Sequence, residues 1–429
     1  MIETTISEAV QEFSAAPLQP AIPQPRTVQD LGIRKNLLQD LALKILHLEG
    51  EMTLLELAQH MRVSLSVMDE IFPALRREEY CEVKGMVGNI HLVALTTMGK
   101  SRALELLANN QYVGPAPVTL ADYTERVRAQ SVRGAEVGPP DVALAFSHLV
   151  LSQPMLAQLG TAAVSGRAIF LYGPTGTGKT SIAEALPAIY HDSVWVPYAV
   201  EAHGQIIAVY DPAVHRPTGE AVPRDHDTRW VQCRRPRVIA GGELTMDMLD
   251  LTLDRLTHCY LAPLQLKANN GVLIIDDFGR QRISPEELLN RWMVPLDRRA
   301  DYLALGGGAK FEVPFDVLVV FATNLDPARL ADEAFLRRIQ NKIKVDPLTP
   351  SEFHEVFRAC CQGHSLPYDD AVGEHVIELL RSEFEQPLRP CYPGDLINLV
   401  VSAARYEGTA AKLDRGTVTQ ACRNYFLRV

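Results

Sequence analysis

Apolar residues recur at helical spacing through Leu37, Leu38, Leu41, Ile45 and Leu48, and Gly50 ends that pattern. Thr53, with Glu56 three residues on, reads as a capping box for a second helix, and Ser64 as the cap of a third that runs to about Arg77. The stretch CEVKGMVGNIHLVALT (residues 81–96) then switches to a two-stranded pattern with Gly85 and Gly88 at its turn, before a helix from about Met98 to Leu107. Further on the period changes. Residues 168–172, 194–199, 272–275 and 317–322 are short apolar runs without alternation, as expected of strands buried on both faces of a parallel sheet. Helical stretches alternate with these runs, which predicts an α/β domain, and from Pro350 onward the pattern predicts helices alone.

Punctuation between the patterns divides the chain. Residues 1–26, with Pro17, Pro20, Pro23 and Pro25, join a helix or sheet with difficulty and read as a flexible leader. Residues 27–112 hold the early helices and the two-stranded wing, an arrangement that resembles a winged helix-turn-helix domain. VGPAPV (residues 113–118) opens a linker, 113–140, with a polar helical connector, and GPPD (138–141) leads into the α/β domain, 141–347. Residues 348–429 form a helical C-terminal domain.

Composition narrows the function classes. At 429 residues and 47% hydrophobic, the chain has apolar material for two or three cores. Lys plus Arg total 42 against 52 Asp plus Glu, a formal charge of −10, which excludes broad attraction to nucleic acid or anionic lipid but leaves room for a local basic face. Cys81, Cys233, Cys259, Cys360, Cys361, Cys391 and Cys422 show no CxxC pair or zinc-like spacing and read as reduced thiols of a cytoplasmic protein. The start, MIETTISEAVQEF, carries acids where a signal peptide needs lysines, and no apolar run nears about eighteen residues, so neither export nor a membrane span is expected.

GPTGTGKT, residues 173–180, follows the apolar run AIFLY and precedes a helical pattern, the context that G-x-x-x-x-G-K-[ST] requires. Glycines there let successive backbone N–H groups point at phosphates, so Gly173, Pro174, Thr175, Gly176, Thr177, Gly178, Lys179, Thr180 and Ser181 are the candidate nucleotide-binding residues. Lys179 would reach phosphate oxygens and the Thr180 hydroxyl would join a Mg²⁺ shell. LIIDDFGRQ (273–281) ends an apolar strand in two aspartates, and such a pair holds a metal, activates a water, or both. In a phosphate-loop fold the next functional strand delivers an acid to magnesium, which assigns Asp276 to the metal and leaves Asp277 in the place of the water-activating base.

The order GPTGTGKT, ANNGVLIIDDFG, VVFATNLDP, AFLRRI and a helical C-terminus is similar to that of AAA+ ATPases over residues 141–429. The resemblance implies a parallel-sheet P-loop core with a helical lid, ATP and Mg²⁺ as cofactors, ATP hydrolysis, a homo-oligomeric ring, expected to be a hexamer, and a protein substrate or adaptor. Carried over by position, Asn324 positions the attacking water, and Arg338, with Arg337 beside it, is the finger that reaches a neighbour's γ-phosphate. An amide orients water without competing as a base, and a fixed guanidinium stabilises the charge that develops in phosphoryl transfer. Asn324 also reads as a turn residue before Asp326 and Pro327, and the arginine pair as a solvated face or a salt bridge.

YLALGGGAKFEV (302–313) resembles the hairpin inserted ahead of the Asn324 strand in MoxR-type ATPases, magnesium chelatases and enhancer-binding activators, where it often faces a central channel; a plain surface hairpin is the other reading. Roughly a hundred residues separate the phosphate loop from Asp276, more than a minimal connection needs. Within them GQIIAVYDP and RWVQCRRPRVIAGG read as extra strands. Arg234, Arg235 and Arg237 form a basic cluster there that lines a channel or meets a neighbouring subunit, or else protects a solvated edge.

Two positions depart from the resemblance. Asp277 stands where the family has glutamate, one methylene longer, and the shorter reach predicts slow hydrolysis. In RPCYPGDLINLV, Gly394 stands where the lid helix normally opens with an arginine, while Arg389 lies nearby. Residues 27–112 carry nine Lys and Arg against eleven Asp and Glu, with Asp69 and Glu70 near the start of the third helix, and Arg76 and Arg77 offset by Glu78 and Glu79. This favours a protein-docking unit over a DNA reader. Three functions stay open: an ATP-driven ring that remodels a protein partner, a nucleotide-dependent DNA-binding regulator, and a nucleotide-gated assembly scaffold that hardly hydrolyses ATP.

Overall fold

The computed structural model describes residues 20–221, 223, 225–327 and 336–426. Its central sheet has five strands: β1 (Ile169–Tyr172), β2 (Arg237–Ala240), β3 (Val272–Ile275), β4 (Leu318–Thr323) and β5 (Asn341–Lys344). They pair in the order β2-β3-β4-β1-β5, all parallel. Helices cover both faces. On one, Ile169, Leu171, Ile274 and Val320 pack beneath the helices Pro139–Ala145, Gln153–Ser165 and Lys179–Ala185. On the other, Phe170, Leu273, Val319 and Phe321 meet Trp292 of the helix Pro285–Arg298.

The pattern found the middle of this sheet, read its edge β2 only as an extra strand within RWVQCRRPRVIAGG, and missed the edge β5. Strands β1, β3 and β4 have no solvent face, so they read as unbroken apolar runs. Edge strands alternate instead: Arg237 and Ile239 are exposed around buried Val238, and Lys342 and Lys344 around buried Ile343. Residues 194–199, expected in the parallel sheet, are not part of it. Ser193–Pro197 pairs antiparallel with Trp230–Arg234, and its apolar run reflects burial of Val194, Trp195 and Val196 in a separate core.

That core belongs to a second five-stranded sheet, built from Thr252–Leu253, Tyr260–Leu261, Gln205–Ala208, Ala199–Ala202 and Val118–Thr119. The segment 113–140, expected as a linker, is therefore built into the fold. Val118 pairs with Val200, while Tyr123 and Val127 of the helix Leu120–Ala129 are buried; the polar remainder of that helix concealed its inner face. Of the expected leader, residues 1–19 lie outside the described residues, whereas Pro23 bridges His226 and the Gln24 N–H donates to Asp225 O at 2.7 Å.

The basic cluster also resolves into unlike parts. Arg235 is buried, ion-paired to Asp192 (Nη2 to Oδ2, 2.5 Å), and its Nη1 donates to the carbonyls of Gln130 and Asn270 at 3.0 and 2.8 Å. It ties the second layer to the core. Arg234 and Arg237 are exposed. The hairpin Ala300–Ala304 with Lys310–Pro314 buries Leu303, Leu305, Phe311 and Val313 in the second core, leaving its tip and outer face, Tyr302 included, exposed.

At the N-terminal end the helices Lys35–Glu49, Leu54–Met61, Leu65–Arg77 and Thr97–Asn109 pack around an antiparallel sheet of Met52–Thr53, Ile90–Leu95 and Cys81–Val87. Thr53 and Glu56 form the capping box; the Ser64 hydroxyl instead meets Ser66 Oγ at 3.0 Å. Gly88, at φ +61°, carries the turn, whereas Gly85 sits within a strand at a register shift. This unit is clamped to the second layer. The Arg62 guanidinium lies 4.6 Å over the Tyr198 ring, and Asn110 Nδ2 donates to His258 O at 3.0 Å.

The helices Pro350–Gly363, Asp370–Ser382, Cys391–Glu407 and Arg415–Tyr425 enclose their own core of Phe353, Phe357, Leu380, Leu396 and Ile397. Thr349 and Glu352 cap the first of them, with Pro350 at its opening position.

Candidate nucleotide site

Parallel pairing brings the C-terminal ends of β1, β3 and β4 side by side, and the candidate residues lie just beyond them. After β1 the chain passes Gly173, Gly176 and Gly178 at φ +148°, +74° and +89°, values that a side chain would strain. A Cβ on Gly176 would also come within 2.7 Å of Cys391 Sγ, from the C-terminal helical unit. Gly178 then opens the helix Lys179–Ala185, whose first N–H groups face the loop.

Lys179 is 9% exposed, and its Nζ donates to Gly173 O at 3.0 Å and Pro174 O at 2.6 Å. Burial lowers its pKa, and the nearby carboxylates of Asp277 and Asp276 oppose that shift. Thr177 Oγ1 closes the loop onto Pro174 O at 2.9 Å. The Thr180 hydroxyl donates to Asp276, 3.0 Å from Oδ1 and 3.1 Å from Oδ2.

Asp276 prolongs β3, its N–H donating to Ala240 O at 2.9 Å. At Asp277 the chain turns sharply, with φ +49°, and the Asp277 N–H donates to Asp276 Oδ1 at 3.0 Å. Gln281 braces the turn: its Nε2 donates to Asp276 O at 2.6 Å and its Oε1 accepts from the Gly279 N–H at 2.8 Å. Thr323 Oγ1 donates to Phe278 O at 2.7 Å and so ties the turn to the end of β4, where Asn324 begins the next loop.

Thr175, Gly176, Thr177, Gly178, Lys179, Thr180, Ser181, Asp276, Asp277 and Asn324 line one cavity of about 800 Å³; Gly173 and Pro174 contribute the carbonyls that hold Lys179. The opposite wall is largely apolar, with Leu149, Val150, Leu151, Met155, Leu348 and Val356. A cavity lined by a cationic loop and by apolar side chains suits a phosphorylated ligand with an apolar part. Among the described residues no cluster of three His, Cys, Asp or Glu side chains could hold a metal alone. Thr180 and Asp276 fit one that shares its shell with phosphate oxygens.

Arg337 and Arg338 do not reach this cavity in their own chain. Arg338 Nε donates to Asp297 Oδ2 at 2.7 Å, and Arg337 is exposed. Sequence reasoning missed Gln281, Thr323 and the apolar wall. The run His148–Leu149–Val150–Leu151 ahead of β1 was the available signal for the wall; the brace of Gln281 had none.

Residues 349–424 match a family described as a domain of unknown function, DUF8689, a span that coincides with the C-terminal helical unit. No curated protein matches the chain. Among solved structures, the RuvB Holliday junction branch migration motor of Thermotoga maritima is 15% identical at a TM-score of 0.36, covering 67% of this chain and 70% of that one. NtrX from Brucella abortus, in complex with ADP, is 14% identical at 0.40, covering 63% of this chain and 54% of that one. Domain III of the Thermotoga maritima replication initiation protein DnaA is 13% identical at 0.38, covering 68% and 99%. From its own sheet order and phosphate loop, the chain contains a P-loop α/β core with a parallel sheet, followed by a helical unit.

Proposed function

We propose that the chain is an AAA+ ATPase, with a winged helix at its N-terminal end, that binds ATP with Mg²⁺, hydrolyses it slowly as a ring of identical subunits in the cytoplasm, and remodels a protein partner. The carrying observation is the Thr180 hydroxyl within 3.0 to 3.1 Å of both Asp276 oxygens, beside Lys179 and Asp277. A hydroxyl and a carboxylate from separate elements meet where a phosphate loop needs a divalent cation.

In this reading the loop N–H groups and Lys179 hold the β- and γ-phosphates, and Thr180 and Asp276 hold the magnesium ion, which neutralises phosphate charge when bound. Asp277 takes a proton from a water that Asn324 orients, as that water attacks the γ-phosphorus and ADP leaves. Arg338 or Arg337 completes the site from a neighbouring subunit. The short Asp277 carboxylate makes the reaction slow.

Protein rather than DNA is the favoured partner of the N-terminal unit. The start of the helix Leu65–Arg77, where a DNA reader makes its base contacts, is occupied: Ser66 Oγ donates to Arg26 O at 2.7 Å, and the Val28 N–H donates to Glu70 Oε2 at 3.2 Å. Among the described residues no helix is long and apolar enough to cross a membrane.

The test is the ATPase rate per chain across a concentration series with Mg²⁺. A rate that rises and saturates supports a ring with an arginine acting across the interface. A flat rate near zero with tight ATP binding would replace this reading by the nucleotide-gated scaffold. Salt-dependent, sequence-specific DNA binding would favour the regulator.

A further inference from the structure

We propose that the outer edge of β2 takes up an extended acidic segment of a protein partner as an added strand, which rests on the protein-partner reading and not on nucleotide turnover. β2 ends the central sheet, so only its β3 side is paired. Pro236 O and Ala240 O accept from the N–H groups of Val272 and Asp276, each at 2.9 Å. By the two-residue period of a strand, Arg237 and Ile239 therefore turn their backbone groups away from β3. Those groups have no backbone partner among the described residues, and both residues are exposed, Ile239 to 40%.

The edge borders a cavity of about 1040 Å³, where apolar Val214, Ile239 and Leu264 lie with three exposed arginines, Arg216, Arg234 and Arg237. None of the three is ion-paired among the described residues; Arg237 Nη1 meets only a carbonyl, Glu184 O, at 3.3 Å. Of the carboxylates lining the cavity, Asp192 is held by Arg235, which leaves Glu184 and Glu220 to face three guanidinium groups. Two of those groups are also set against each other. Pro217 bridges Cys233 antiparallel and the Arg234 N–H donates to Arg216 O at 2.9 Å, so Arg216 and Arg234 stand directly opposite on adjacent segments. Like charges in that position destabilise the pairing, and an anion beside them offsets the repulsion.

The kind of occupant follows from the groups on offer. A free strand edge presents N–H donors and C=O acceptors together, which a peptide backbone matches and the phosphodiester backbone of DNA, with acceptors alone, does not. Arginines and apolar side chains in one groove then select acidic and apolar residues within one short segment. Arg237 on the edge also discourages a second copy of β2 from pairing there, because like charges would meet.

The experiment uses the full chain without nucleotide and a fluorescent peptide of about ten residues that alternates Glu and Val, with binding read by anisotropy. Arg234→Glu should weaken binding roughly tenfold or more. Its Tm should hold or rise, because repulsion from Arg216 becomes attraction. The same peptide N-methylated throughout, or with Lys in place of Glu, should bind at least about tenfold more weakly than the original. No binding by the wild-type chain, equal binding of the N-methylated peptide, unchanged affinity in Arg234→Glu, or a Tm lowered by several degrees in that variant would each overturn the proposal. Binding that appears only once residues 1–19, with Glu3, Glu8 and Glu12, are deleted would give the groove to the chain's own start, and tighter binding of a single-stranded DNA oligonucleotide than of the peptide would give it to nucleic acid; either result overturns it as well. A chain that binds no peptide yet shows an ATPase rate rising with concentration would lose this surface and keep the proposed function.

Discussion

At the strand ends, Lys179 bonds to carbonyls of its own loop and Thr180 to a neighbouring aspartate, with one wall of a cavity beside them. In the second layer, buried charges are saturated. Arg229 grips both oxygens of Asp227 and donates to Pro117 O; Arg235 holds Asp192, Gln130 and Asn270; Arg291 holds Asp301, which also accepts from Gln265. A buried charge persists only when its partners are complete, and removing one leaves the other uncompensated. Groups that must meet a ligand keep capacity in reserve. Saturation therefore separates architecture from chemistry here, although both regions are rich in charge.

The largest test of that division is at Asp277. Asp277→Asn should lower kcat by about 10²- to 10⁴-fold while leaving ATP affinity and Tm near wild type, since the amide keeps the size but not the basicity. Equal loss of binding and turnover would mean that Asp277 holds the ligand instead. Arg235→Ala is the mirror image: it strands Asp192 and should cost about 3 to 5 kcal/mol of stability. Chemical denaturation measures this, and the ATP affinity of the protein that remains folded should be unchanged. A stable Arg235→Ala protein with altered ATP binding would break the comparison.

A smaller effect separates two reasons for the aspartate at position 277. Its carboxylate is short, and its backbone is left-handed at φ +49°, a conformation that aspartate accepts more readily than most residues because its side chain bonds locally. Asp277→Glu should raise kcat by about tenfold through reach. The same change should lower stability by about 1 kcal/mol through backbone strain. A fall in kcat would contradict the reach explanation.

The phosphate loop, Asp276, Asp277 and Asn324 were legible because each follows a strand buried on both faces, and buried strands write themselves as apolar runs. Local chemistry then marks the loop. The second layer was not legible, because its strands are short and pair across long separations: Val118 with Val200, Tyr260 with Ile207. No local window contains both partners. Arg235 looked like surface charge because its neighbours Arg234 and Arg237 are exposed, and only the fold reveals Asp192 opposite it. Arg389 stood in view in the sequence, yet only the fold shows its buried Nε, without a partner among the described residues, and its stem beside the phosphate loop.

The smallest effect tests whether saturation in the second layer extends to a neutral group. His215 is buried; its Nδ1 accepts from the Asp211 N–H and its Nε2 faces Lys267 O, each at 2.9 Å, so the neutral ring carries its proton on Nε2 and satisfies both. Burial lowers its pKa; Lys267 adds to that shift, and Asp211 and the carbonyl of Lys267 oppose it. The folded protein therefore binds fewer protons than the unfolded chain between the depressed value and about 6.5. This contribution is fully present above about pH 6.5 and is lost as pH falls toward the folded pKa. Denaturation at pH 7 and pH 5.5 should show a shallower stability slope for His215→Gln than for wild type. An identical slope would remove His215 from the acid response.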